Sequence, residues 1–228
     1  MYLIDTLIFN NKSEKKNYQR IFSKKLNDIN IETYTFYTSN LFFNSRGDKW
    51  NLLCVMDLSK YNRDIINTIP LTKNVTIRRE YMELTPNAHV KSLKSLKCNL
   101  NIVEHVDVAD KYLEEFQSIM IQNNIPAMTE IIHKRSWCNE FIALETRNII
   151  YHKSKFPKWN QIHLISLNLK GVLLFKKDFS TVLKTHSNIS FEQNFSRLKK
   201  IRVFTYKASA SKTKSILSNT YSMDGNSQ

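Results

Sequence analysis

Glycine is nearly missing from this chain, with three residues in 228: Gly47, Gly171 and Gly225. Loops that cradle phosphate need glycine where the backbone meets the ligand. That excludes a Gly-rich nucleotide site and a Rossmann-type dinucleotide fingerprint. Cysteine is also sparse: Cys54, Cys98 and Cys138 include no Cys-x-x-Cys pair. Free thiols in a reducing compartment are the expectation. No stretch reaches the roughly 20 apolar residues of a membrane helix. Met1 to Phe9 carries Asp5 and no basic flank, so it reads as a strand and not as a signal peptide. These absences predict a soluble, cytoplasmic protein with no membrane partner. There is no Gly-x-Ser-x-Gly elbow, no His-Glu-x-x-His and no His-x-x-x-His. The chain therefore lacks the usual signatures of nucleophilic hydrolysis and of zinc chemistry.

Acidic residues are outnumbered 20 to 34, leaving a net charge of +14. Most of the basic residues are lysines scattered along the chain. They group only at Lys12 to Lys16, Lys91 to Lys97 and Lys207 to Lys214. Solvated lysine faces account for much of this charge, and nucleic acid is the partner class it admits.

What the chain does contain is a repeat of itself. Asp48-Lys49-Trp50-Asn51-Leu52-Leu53-Cys54-Val55-Met56-Asp57-Leu58 returns as Pro157-Lys158-Trp159-Asn160-Gln161-Ile162-His163-Leu164-Ile165-Ser166-Leu167. Upstream, Thr38 to Phe43 returns as Thr146 to Tyr151, and Thr76-Ile77-Arg78 returns as Lys200-Ile201-Arg202. An insertion near 128–138 interrupts the match. A repeat implies one structural unit used twice.

Alternation and helical spacing give the elements. Tyr2 to Phe9, Glu32 to Phe43, Trp50 to Leu58 and Val75 to Leu84 read as strands. A helix follows Asn11-Lys12-Ser13-Glu14, which resembles a capping box, and a short helix ends at Pro70. The second copy has strands at Leu100 to Val108, Ala127 to His133, Glu140 to Tyr151, Trp159 to Leu169 and Lys200 to Lys207. Its helices run over Tyr112 to Met120, over Asp178 to Thr185 and from the box Ser190-Phe191-Glu192-Gln193.

Two β-α-β-β-α-β orders predict an α+β fold of two tandem ferredoxin-like units with antiparallel sheets. The units span 1–86 and 100–207, with a linker at 87–99 and a flexible basic and polar tail at 208–228. On this element order the chain resembles the dimeric α/β-barrel superfamily, which includes antibiotic biosynthesis monooxygenases and small polyketide cyclases. The resemblance implies sheets packed as a pseudo-dimeric barrel, a pocket between sheet and helices, and an apolar, polyketide-like or aromatic substrate handled without a cofactor. It also implies cyclisation or oxygenation as the reaction, and admits a further homodimer.

The copies differ where chemistry could sit. Thr6 and Cys54 of the first correspond to His105 and His163 of the second. His105 and His163 are the expected catalytic residues, as general base and oxyanion partner. Arg147, Tyr151, Trp137 and Trp159 are the expected substrate-binding residues. Glu104 and His152 lie nearby in sequence. Glu104 and His105 are adjacent, so they face opposite sides of a strand, and His105 is preferred beside His163. Two other readings stay open. One is an RNA-binding or RNA-processing protein, with Arg78, Arg79 and Tyr81 on one strand. The other is a haem-binding barrel with His186 as axial ligand.

Overall fold

The computed structural model describes residues 1–40, 50–71, 75–93, 100–153 and 156–214. Arg46-Gly47-Asp48, Cys98, and the stretch from residue 215 lie outside these. The strands are β1 (Tyr2–Ile8), β2 (Tyr34–Ser39), β3 (Leu52–Asp57), β4 (Thr76–Lys91), β5 (Leu100–Val108), β6 (Cys138–His152), β7 (Gln161–Leu167) and β8 (Arg202–Lys214). The helices are α1 (Lys12–Asp28), α2 (Ile65–Thr68), α3 (Leu113–Ile119), α4 (Ile125–Lys134), α5 (Leu169–Ser187) and α6 (Phe191–Ile201).

Helix starts follow the local chemistry. The Asn11 side chain accepts the Glu14 N–H at 2.8 Å, which satisfies one orphan donor of the first turn. Ser190 and Gln193 form a full reciprocal capping box at α6. Ala127 to His133 is helix α4 and not the expected strand. Its apolar residues Ile125, Met128, Ile131 and Ile132 recur at helical spacing. Pro126 sits in the first turn, where it has no N–H to lose.

All eight strands close into one antiparallel barrel, in the order β1-β3-β2-β8-β5-β7-β6-β4 and back to β1. This corrects the expectation of two tandem ferredoxin-like units with separate sheets, and the superfamily resemblance drawn from it. The two seams explain the difference. β2 pairs with β8 from Thr35 opposite Lys214 to Ser39 opposite Ala210. β4 pairs with β6 as far as Lys91 opposite Glu140. Residues 210–214 supply the β8 side of the first seam, and His89 to Lys91 carry the second beyond Leu84, past an irregularity in β4. Among the described residues, closure leaves no edge strand with unpaired backbone groups. Asn87, with φ of 63°, takes the left-handed conformation inside the irregularity between Leu84 and His89 of β4.

Each half contributes four consecutive staves in matching order, β4-β1-β3-β2 and β8-β5-β7-β6. The strand repeat extends to single hydrogen bonds. Asn51 accepts from the Phe9 N–H at 3.0 Å and donates to the Phe9 carbonyl at 2.7 Å. Asn160 does the same with Val108, at 3.0 and 2.7 Å. Apolar side chains fill three regions. One lies inside the barrel, around Ile4, Leu53, Trp50, Trp159 and Tyr206. One packs the outer wall against α1, through Tyr18, Phe22 and Leu26. The largest lies between the outer wall of the second half and α3 to α6. Both strand faces are therefore buried in much of the wall.

Candidate functional site

The informative layer crosses the outer wall at Glu104. Its register partners are His163 on β7 and Lys207 on β8. His163 Nδ1 stands 3.4 Å from Glu104 Oε2, and Lys207 Nζ stands 2.8 Å from Oε1. Burial works against ionising Glu104. The His163 hydrogen bond and the Lys207 charge outweigh it and hold the carboxyl down at about 2. Glu104 is thus a carboxylate at neutral pH. With Nδ1–H directed to it, the His163 lone pair falls on Nε2. That atom is buried and has no hydrogen-bond partner among the described residues. The ring itself is 2% exposed and stacks on Phe116 of α3 at 6.3 Å.

His163 and Glu104 line a cavity of about 260 Å³ between wall and helices. Met120, Met128, Phe141, Phe179, Phe195 and Phe204 supply its apolar surface. Arg202 and Lys207 add positive charge. The Arg202 guanidinium lies 4.7 Å from the Phe204 ring centre and 5.9 Å from that of Phe116. Burial pushes its pKa down, and Glu104 pulls it back up. An apolar pocket with a few converging polar groups is the usual form of a small-molecule site.

The first half carries the same layer with other residues. Asp5 is paired with Cys54 and Arg79. Arg79 binds Asp5 through two bonds of 2.7 Å and also donates to the Ile69 and Pro70 carbonyls. Cys54 is fully buried. Burial and then Asp5 push its thiol pKa well up, against Arg79. A thiol kept protonated is inert. This layer is packed as structure, and the asymmetry foreseen at Cys54 and His163 separates a closed copy from an open one.

The two expected catalytic histidines are not together. His105 points into the barrel and His163 points out toward the helices, because they sit on opposite faces of adjoining strands. Thr6 Oγ1 is 3.4 Å from His105 Nε2, so the matched residues of the two copies meet inside. Trp159, Tyr206 and Trp50 surround the imidazole at 4.8, 5.5 and 5.7 Å between ring centres. Burial, and secondarily Arg78, lowers its pKa to about 3. This is a sealed, neutral histidine.

Its pH signature follows from linkage. Unfolded, His105 takes its proton near 6.5; folded, it resists until about 3. Between these values the unfolded chain binds the extra proton, so stability rises with pH there and falls as pH drops below 6.5. His105→Phe should give a shallower loss of Tm than wild type between about pH 6.5 and about pH 5, read by thermal melts. Equal slopes would contradict the assignment. Below that window Glu104 and Glu140, both held at about 2, act in wild type and variant alike. Their stabilisation is present above the ordinary carboxyl pKa and is lost as pH falls toward 2.

None of the four expected substrate-binding residues lines this cavity. Trp159 lies inside the barrel and donates to Glu80 at 2.6 Å. Trp137 is buried under α5 and donates to Asp178 at 2.7 Å. Arg147 is half-exposed and pairs with Glu83 and Glu145. Tyr151 packs on the outer core of the first half. His152 stacks beside Phe156. His186 sits near the exposed end of α5, bonded to Glu130, and does not line the cavity. Arg78 and Arg79 are buried on opposite faces with carboxylate partners, Glu80 and Asp5. They present no basic strand to a nucleic acid. Residues the sequence reading passed over are Arg202 and Lys207, whose position beside Glu104 follows only from the β5–β8 pairing.

A second cavity, of about 230 Å³, opens at one barrel end between Tyr2, Tyr37, His89, Glu140 and Lys212. Its polar groups answer one another: Lys212 to Glu140 at 2.6 Å, His89 to Glu140 at 3.7 Å, and the Tyr2 hydroxyl to His89 at 3.5 Å. Among the described residues no helix is long and apolar enough to cross a membrane.

No protein-family model and no curated protein matches this sequence. Several solved structures resemble this chain, and two of them align with most of it. One is a candidate monooxygenase from Lactobacillus acidophilus, at 10% identity and TM-score 0.47, covering 92% of each chain. The other is a candidate monooxygenase from Fusobacterium nucleatum, at 14% identity and TM-score 0.47, covering 93% of this chain and 90% of that one. The chain thus has structural similarity to candidate monooxygenases, and its chemistry must be argued from its own side chains.

Proposed function

We propose that the chain is a small-molecule enzyme that removes a proton from an apolar aromatic or polyketide-like substrate held between the outer wall and the helices of the second half. One observation carries this reading: a buried imidazole whose Nδ1 faces a carboxylate and whose Nε2 is left unpartnered beside an apolar cavity. A base oriented by a third group is the arrangement proton transfer needs.

In the proposed step, His163 Nε2 takes the proton from a phenolic or enolic hydroxyl, or from carbon next to a carbonyl. The bonding electrons stay on the substrate, which becomes a phenolate or enolate. Glu104 holds the ring and stabilises the imidazolium. Arg202 and Lys207 place positive charge where the substrate anion develops. Met120 and Met128 are flexible enough to shift as a ligand reaches Nε2. Ring closure of a polyketide-like chain and cofactor-independent oxygenation share this first step.

The test uses para-nitrophenol, which ionises near neutral pH and absorbs visible light as the phenolate. The wild-type protein should bind it and shift its ionisation toward the phenolate. Absence of a shift, or a full shift in a folded His163→Gln variant, would contradict the proposal.

A further inference from the structure

The cavity beside His163 does not end at the charged residues. A second compartment of about 230 Å³ adjoins it and shares Glu104, Ile165, Phe175 and Lys207 as a common wall. Beyond that wall the character changes. The first compartment is aromatic and holds His163 and Arg202. The second is floored by Leu100 and Ile102 of β5 and Leu167 of β7, and edged by Val172 of α5. Apart from the shared Glu104 and Lys207, no charged residue lines it among the described residues. Gly171 also lines it, and a Cβ there would stand 2.6 Å from the Trp137 ring, so α5 lies close over the wall. At the outer end Leu169, Val172 and Leu173 are 73, 43 and 77% exposed. Val172 lines the compartment, and its neighbours on α5, Leu169 and Leu173, add exposed apolar surface beside it.

The geometry points to a two-part ligand: an ionisable aromatic or enolic head beside His163 and Arg202, joined to an unbranched alkyl or acyl tail running past Ile102 to Val172. This rests on the reading of His163 as the base and adds the substrate class. The tail is selected by burial alone, so affinity should climb with chain length until the compartment is full, then level off as carbons reach solvent. Each buried methylene should tighten binding about two- to fourfold. The acid–base group stays at the junction throughout. Chain length should therefore act on affinity and leave the ionisation of the head unchanged.

The experiment uses para-alkyl-ortho-nitrophenols from ethyl to octyl, titrated against the whole chain with phenolate absorbance as readout. Val172 is part-exposed, so Val172→Trp and Val172→Asp should both fold. The first fills the mouth and the second places a charge in it. In wild type, Kd should fall stepwise with chain length. In both variants the ethyl compound should bind as in wild type while the gain from longer chains is lost. Binding of every member with one affinity would overturn the tail and leave the His163 site standing. A chain-length gain that persists in both variants would overturn this location of the tail. No binding by any member, short or long, would overturn both readings together.

Discussion

His163→Gln is expected to slow proton removal from a bound substrate by about 10²- to 10⁴-fold, the usual contribution of a positioned general base. Glutamine fills similar space and its amide still donates to Glu104, so the wall and the cavity should survive. What is lost is the Nε2 lone pair. Binding of a nitrophenol head should persist, because Arg202, Lys207 and the phenylalanines remain. The substitution should therefore act on kcat more than on KM once a substrate is in hand. Glu104→Gln probes the same unit from the other side. It removes the charge that stabilises the imidazolium and frees the choice of tautomer, so it should slow the same step without adding to the loss from His163→Gln. Additive losses would mean that the two residues do not act as one unit.

Arg78→Met should produce the largest fall in stability. Arg78 is 1% exposed inside the barrel, donates to Glu80 at 2.8 Å and to the Trp159 carbonyl at 2.7 Å, and lies over the Trp159 ring at 3.8 Å. Glu80 also accepts from Trp159 Nε1 and from Thr146. Removing one partner strands the other charge, at a cost of about 3–5 kcal/mol. For a chain of this length that is a fall in Tm of about 6–20 °C. Burial already pushes the Glu80 pKa up against Arg78, Trp159 and Thr146. Without Arg78 it should rise further, and the variant's deficit relative to wild type should shrink as pH falls and Glu80 takes a proton. Adding Glu80→Gln keeps an acceptor for Trp159 and removes the stranded charge, so the double variant should recover part of the loss. A double variant no more stable than Arg78→Met would contradict this account of the interior.

The repeat was legible because it is written in identities that do local work: Asn51 and Asn160 each tie a strand start to its neighbour, and Trp50 and Trp159 beside them fill the barrel interior. The equivalence of Thr6 with His105 and of Cys54 with His163 was legible for the same reason. Which histidine faced the helices was not. In an open sheet alternation separates a wet face from a dry one. In this barrel the interior and the helix side are both dry, so Leu164 and Ile165 look alike in sequence. The closed wall was obscured because β8 runs on to Lys214 through Ser, Lys and Thr, and because β4 resumes its pairing at His89 after the irregularity at Pro86 and Asn87, where backbone pairing and not apolar rhythm makes the strand. Helix α4 was read as a strand because its apolar residues fall in two short clusters, Ile125 to Met128 and Ile131 to Ile132, and periodicity separates helix from strand poorly over so short a stretch.

The most direct measurement is a crystal structure of the chain with para-butyl-ortho-nitrophenol bound. The account predicts its hydroxyl oxygen within hydrogen-bond reach of His163 Nε2, its ring among Phe141, Phe179 and Phe204, and its butyl group directed past Ile165 toward Val172. Ligand seated instead at the barrel end beside Tyr2, His89 and Lys212, with the cavity at His163 unchanged, would contradict it.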